Sequence, residues 1–152
     1  MNLRPAIKDD AAFFERVYAG TRSDELALTD WTGEQKAQFC RMQFDAQDRH
    51  YREQYPAAEF SVIERDGGAV GRLYVDRRER EIRIMDISLL PAERGAGIGT
   101  RMLRELQEEA RAKGGVLSIH VEKFNRALRL YERLGFQPVA DQGVYLLMKW
   151  RA

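Results

Sequence analysis

The stretch Arg94-Gly95-Ala96-Gly97-Ile98-Gly99-Thr100 constrains this chain more than any other. It lies between a run of strand character, Glu81–Leu90, and a run of helix formers that opens with Arg101-Met102-Leu103. Glycine in a helix costs about 1 kcal/mol relative to alanine, so glycines at 95, 97 and 99, where a helix should begin, need a physical cause. A helix N-terminus carries unpaired backbone N–H groups and the positive end of the dipole, and so attracts anions. Glycine lets the chain turn sharply there and lets a phosphate reach those N–H groups without meeting a Cβ. Arg94 adds a positive charge at the same mouth. Strand, glycine-rich turn and helix together point to a phosphate site, with a pyrophosphate as its expected occupant. Tight packing alone accounts for one such glycine far more easily than for the set.

Other phosphate motifs fit less well. A nucleotide P-loop ends in Gly-Lys-Ser/Thr, whereas this loop ends in Gly99-Thr100-Arg101. A dinucleotide fingerprint needs a glycine where Thr100 stands. Glu122 lies near the required distance downstream, but the preceding strands read as hairpin-linked rather than doubly wound.

The remaining elements follow from local signals. Asn2–Ala6 reads as a first strand. Asp9 can cap a helix reaching about Ala19, with Phe13, Phe14 and Val17 on its buried side. Thr32 and Gln35 have the form of a capping box opening a helix over Gly33–Gln54. Phe39, Phe44, Tyr51 and Tyr55 on that helix read as core or cleft wall. Residues 59–78 alternate around Asp66-Gly67-Gly68, as a hairpin does. Glu81–Leu90 is a strand closed by Pro91. A helix over Gly97–Ala112 buries Ile98, Met102, Leu103 and Leu106. A strand over 116–121, a helix ending at Gly135 and a strand over 144–150 complete the order βααβββαβαβ. This is an α/β fold: a mixed, mostly antiparallel central sheet of about six to seven strands flanked by helices. No linker interrupts residues 1–152, so a single domain is expected.

Composition narrows the partners. A formal charge of +1 argues against nucleic acid or an anionic membrane as the main partner. Cys40, the one cysteine, forms no intrachain disulfide, and no Cys/His cluster surrounds it, so no metal is expected. No signal peptide or membrane span is apparent, and a cytoplasmic location is expected. Sequence does not specify the oligomeric state; a homodimer is the commonest arrangement for such chains.

Arg94-Gly95-Ala96-Gly97-Ile98-Gly99 resembles the Q/R-x-x-G-x-G/A signature of the GCN5-related N-acetyltransferases (GNAT). The likeness extends through Ile87–Leu103 and Asn125–Phe136, and the element order matches over nearly the whole chain. The resemblance implies a GNAT-like acyl-CoA N-acyltransferase fold and acetyl-CoA as co-substrate. Its pyrophosphate would rest on Arg94, Gly95, Ala96, Gly97, Gly99 and Thr100. Its pantetheine arm would lie beside main chain around Ile87 and Leu89, where a bulge would splay the strand. Asn125 matches a position that helps hold the arm, and also suits an N-cap.

The implied reaction is attack of a neutral primary amine on the thioester within a ternary complex. The amine, with a pKa of about 10.4, must lose a proton, and the departing thiolate gains from a donor. The resemblance makes the Leu89 N–H the oxyanion donor and Tyr131, in Leu130-Tyr131-Glu132-Arg133, the acid. A packed helix tyrosine is the alternative for Tyr131. His120, five residues before Asn125, is the candidate base; a half-buried strand histidine or a water chain is the alternative. Glu25 is placed on the acceptor side, against the reading of a solvated loop carboxylate. Asp86 is a further acid, whose facing depends on strand alternation and the bulge, and His50 reads as surface. Arg72, Arg77, Arg78 and Arg83 read as a solvated strand face. Trp31, Tyr51 and Tyr55 are placed as acceptor-pocket walls. Small amines, peptide N-termini and lysine side chains all fit as acceptors. A non-catalytic acyl-CoA-binding module and a transferase for longer acyl groups are the other functions compatible with these motifs.

Overall fold

A two-residue turn, Asp66-Gly67, with φ of 53° and 81°, joins two strands in the left-handed geometry that tight hairpins require. The computed structural model describes every residue, Met1–Ala152. The strands are β1 (Asn2–Pro5), β2 (Glu59–Arg65), β3 (Gly68–Arg77), β4 (Glu81–Leu89), β5 (Val116–Glu122), β6 (Gln137–Gln142) and β7 (Tyr145–Arg151). The helices are α1 (Ala11–Ala27), α2 (Gly33–Gln54), α3 (Ile98–Lys113) and α4 (Leu128–Arg133). The sheet has seven strands in the order β1-β2-β3-β4-β5-β7-β6. β1/β2, β5/β7 and β6/β7 pair antiparallel, and β4/β5 pair parallel across the α3 connection.

The chain forms two compact units, Met1–Leu73 with Ile87–Arg94, and Tyr74–Asp86 with Gly95–Ala152. In the first, α1 meets α2 through Tyr18 and Phe44, whose rings are 6.2 Å apart. Asp10 receives Arg4 on both carboxylate oxygens at 2.8 Å and the Ile7 N–H on one of them. The Arg4 guanidinium holds that carboxyl down to about 2. In the second unit, α3 buries Ile98, Met102, Leu103, Leu106 and Ala110, while Leu117, Ile119, Val121 and Met148 are buried on β5 and β7. Each of these side chains larger than alanine contributes about 1.5–3 kcal/mol by leaving water. Arg77 on β3 pairs with Glu109 on α3.

Two sequence readings are corrected. The first helix does not stop near Ala19 but runs through Gly20 to Ala27. A Cβ at Gly20 would lie 2.8 Å from Pro91 Cδ, so the glycine gives the proline ring its room. The order βααβββαβαβ lacks β6, an exposed edge strand with Pro138 beside a register shift and no apolar alternation to announce it.

β4 contains one extra residue. Arg78 N–H donates to Glu81 O at one end of the β3/β4 hairpin, and Leu90 N–H donates to Val70 O at the other. Glu81 to Leu90 holds one residue more than Val70 to Arg78, which defines a β-bulge on β4. The alternation of burial holds through Ile82 and Ile84 and disappears from Met85 onward.

Candidate functional site

Gly95 and Gly97 have φ of 79° and 82°, the left-handed region that glycine adopts without penalty. A Cβ built on either meets nothing within 4 Å. The loop is therefore glycine-rich because of its backbone conformation and the open space above it, not because neighbouring protein crowds it. Gly97 is the N-cap of α3 and offers no side-chain acceptor, and the first turn of α3 carries no acid. The first intrahelical bond is Arg101 N–H to Gly97 O at 3.0 Å, so the N–H groups of Ile98, Gly99 and Thr100 precede the helical ladder. An open groove of about 580 Å³ begins here, lined by Gly97, Thr100, Arg101, Arg104, Glu105 and Glu108. Its two carboxylates lie further along α3, with Glu105 paired to Arg101 at 3.4 Å, so the positive potential is concentrated at the helix N-terminus. Positive helix end, arginines and open N–H groups form an anion-binding arrangement. Gly99 differs from the other two: its Cβ would make only ordinary contact with Leu130, at 3.9 Å.

Arg94 directs an Nη2 hydrogen to Gly20 O at 3.3 Å, so its charge is anchored on α1. Ile87 and Leu89 are half-buried on β4 beyond the loss of alternation. Asn125 accepts the Ala127 N–H on Oδ1 at 2.8 Å and turns the chain into α4, whose own N-cap is Ala127.

Tyr131 lies on α4 and is buried, its ring edge-on to Phe136 with centroids 5.7 Å apart. Burial, and secondarily the Asp86 carboxylate, push its phenol well above the ordinary value of 10.0. Phe136 N–H returns to Tyr131 O at 3.0 Å around Gly135, whose φ is 95°. That C-terminal closure fixes the tyrosine's helix end.

His120 projects from β5 on the same face as Ser118. Arg83 Nη1 is 3.2 Å from His120 Nδ1. A guanidinium only donates, so Nδ1 accepts and the neutral ring carries its hydrogen on Nε2. Arg83 also donates to Ser118 Oγ at 2.8 Å and to Glu81 at 3.0 Å, while Ser118 donates to Glu81 at 2.8 Å. The ring is exposed, yet partial loss of hydration, then Arg83, push it below the ordinary 6.5, opposed by Glu81 and a hydrogen bond with Gln142. In an NMR titration His120 is expected to change charge below that value, with the midpoint rising in Arg83→Gln. A midpoint that does not rise would remove Arg83 as a cause. Glu81 and Arg83 are spaced i, i+2, as are Ser118 and His120, but the parallel register that joins them is not visible in sequence.

The reading of four arginines as a solvated face is corrected at Arg72, which is 1% exposed. It donates to Gln47 Oε1 at 2.9 Å and lies 5.9 Å from the ring centres of Tyr18 and Phe44. β3 is buried along most of its length, so a side chain there has no solvated face to occupy. Glu25 lies on α1 rather than in a loop, paired with Arg22 at 3.0 Å and well exposed. His50 is exposed. Trp31 packs edge-on to Phe39 and lines, with Met42, an open groove of about 680 Å³ on α2. Tyr51 and Tyr55 form a second ring pair on α2, 6.4 Å apart.

Residues 56–138 match the family model described as the acetyltransferase (GNAT) domain. The chain belongs to the GNAT family. It is 43% identical over 81 residues to N-alpha-acetyltransferase RimI of Mycobacterium tuberculosis, a match covering 49% of this chain and 50% of that protein. The match thus spans about half the length of that relative. A PaiA N-acetyltransferase from Thermoplasma acidophilum, solved in complex with coenzyme A, superposes with TM-score 0.74 at 16% identity over 99% of this chain and 98% of that one. The ribosomal-protein-S18-alanine N-acetyltransferase of Escherichia coli superposes with TM-score 0.66 at 16% identity, covering 99% and 92%. The fold of this chain is the fold of those enzymes.

Proposed function

We propose that this protein transfers an acetyl group from acetyl-CoA to a primary amine. The observation that carries the reading is the uncapped N-terminus of α3 under Gly95 and Gly97, open above and without an acid in its first turn. The Gly95–Thr100 backbone and Arg94 would hold the pyrophosphate, with the pantetheine arm beside Ile87 and Leu89 and Asn125 contributing its side-chain amide. The reading is supported by family membership and by the coenzyme A in the Thermoplasma acidophilum structure.

The neutral amine nitrogen attacks the thioester carbon, and the carbonyl electrons move to oxygen, where the Leu89 N–H would stabilise them. Collapse of that adduct breaks the carbon–sulfur bond and releases CoA thiolate. Tyr131 would face the leaving sulfur. Its phenol is held far above the thiol's ordinary pKa of about 8.5, so its hydrogen bond stabilises the thiolate without yielding the proton outright. The amine's proton passes to neutral His120 when Arg83 yields Nδ1, or to a water chain. Holding amine and thioester in line contributes alongside both proton movements.

The likeness to RimI supports peptide α-amines as the acceptor class to test first, and Glu25 would contact the incoming ammonium. The test is release of CoA thiol by the purified chain over a panel of peptide α-amines, lysine side chains and small polyamines. Release above hydrolysis with one class is expected. Tight acetyl-CoA binding with no release would favour a non-catalytic acyl-CoA-binding module instead.

A further inference from the structure

Within the first unit, a Cβ at Gly71 would collide with the backbone carbonyl oxygen of Ser88 and stand 3.2 Å from Leu89 Cα. The Ser88 carbonyl fills the place where a side chain at 71 would be. It belongs to backbone inside a strand, so it cannot swing aside as the end of a flexible side chain does. The peptide group joining Ser88 to Leu89 is planar and trans, so its C=O and N–H point in opposite directions. With the carbonyl turned against β3, the Leu89 N–H points away from β3. The next amide returns: Leu90 N–H donates to Val70 O at 2.9 Å. The half of β4 where the alternation is lost thus passes the missing side chain on β3 at this peptide group.

We propose that Gly71 is a positioning residue for acyl transfer, its missing side chain aiming the Leu89 N–H at the thioester oxygen. The inference rests on the acetyl-transfer reading above. Any β-carbon at 71 must rotate the Ser88–Leu89 peptide or part the strands, and either change swings that N–H off its target. Gly68, three residues earlier on the same strand, is the control, because its Cβ would make only ordinary contact with Arg65 O at 3.7 Å.

The experiment compares wild type, Gly71→Ala and Gly68→Ala as full-length chains. It measures acetyl-CoA affinity, single-turnover transfer to the best amine of the panel, and the Leu89 amide proton by NMR with CoA and with acetyl-CoA. Gly71→Ala is expected to keep most of the cofactor affinity, since the pyrophosphate loop Gly95–Thr100 is untouched and only the arm's contact near Leu89 shifts, and to lose at least tenfold in rate. Outright loss of an oxyanion donor costs about 10²–10³-fold. Gly68→Ala is expected to keep both. In wild type the Leu89 amide proton is expected to move downfield when acetyl-CoA replaces CoA, and to lose that response in Gly71→Ala. A folded Gly71→Ala transferring at the wild-type rate would overturn the inference, because a purely structural role lowers thermal stability without a selective loss of turnover. So would an unresponsive Leu89 amide in wild type, a measurement that stands even where Gly71→Ala does not fold. Failure of wild type to bind acetyl-CoA would overturn the acetyl-transfer reading and this inference with it.

Discussion

Gly97→Glu is expected to weaken acetyl-CoA binding about a thousandfold in a protein that remains folded. Gly97 has φ 82° and ψ 6°, a conformation that costs other residues about 1–2 kcal/mol. Its Cβ would meet nothing within 4 Å, so the strain is the whole structural cost and no neighbour must move. A carboxylate at a helix N-terminus interacts favourably with the dipole, which offsets part of that strain. The same carboxylate occupies the N–H groups and the positive potential assigned to the pyrophosphate. Losing those contacts and adding like-charge repulsion together weaken binding by about a thousandfold, equivalent to roughly 4 kcal/mol. Calorimetric titration beside a thermal unfolding curve measures both effects. Gly97→Ala separates them, since it carries the strain without the charge and should lose less affinity. Unchanged affinity in the glutamate variant would remove this loop as the pyrophosphate site.

Tyr131→Phe is expected to slow transfer about a hundredfold while leaving acetyl-CoA affinity in place. A hydrogen bond to a charged group contributes about 1.5–3 kcal/mol, and the developing thiolate is such a group. Phenylalanine keeps the ring contact with Phe136, so the fold should tolerate the change. Because the phenol's pKa is raised, its hydroxyl form persists at alkaline pH, where an ordinary tyrosine would begin to ionise. The wild-type rate is therefore expected to show no loss up to about pH 9 attributable to this group. Single-turnover rates across pH for both proteins decide the matter. A wild-type rate in the phenylalanine variant would leave Tyr131 as a packed helix residue only.

The two left-handed glycines of the loop and the two close-approach glycines of the first unit differ in how they can be read. Gly95 and Gly97 stand beside a helix start, where the glycine pattern and the helix signal are neighbours in sequence. Gly20 lies inside a helix and Gly71 inside a strand, and nothing near either in the chain explains it. Their reasons are Pro91 and the Ser88 carbonyl, brought close only by folding. His120 is a similar case. Its residue type suggested a base, whereas the parallel register of β4 and β5 brings Arg83 to its Nδ1.

What the amino-acid sequence determined by itself was local. It specified the Thr32–Gln35 capping box, the Asp66-Gly67 hairpin, the strand before the loop and the uncapped helix after it. Each depends on residues within one turn or one hairpin, where capping, φ preference and periodicity act directly. The tertiary structure alone decided that β6 joins the sheet edge, that Arg72 is buried, that β4 carries an extra residue and which peptide group Gly71 admits. Those outcomes depend on pairing between residues far apart in the chain, where register and the volume left by a neighbour decide, and a linear pattern contains neither.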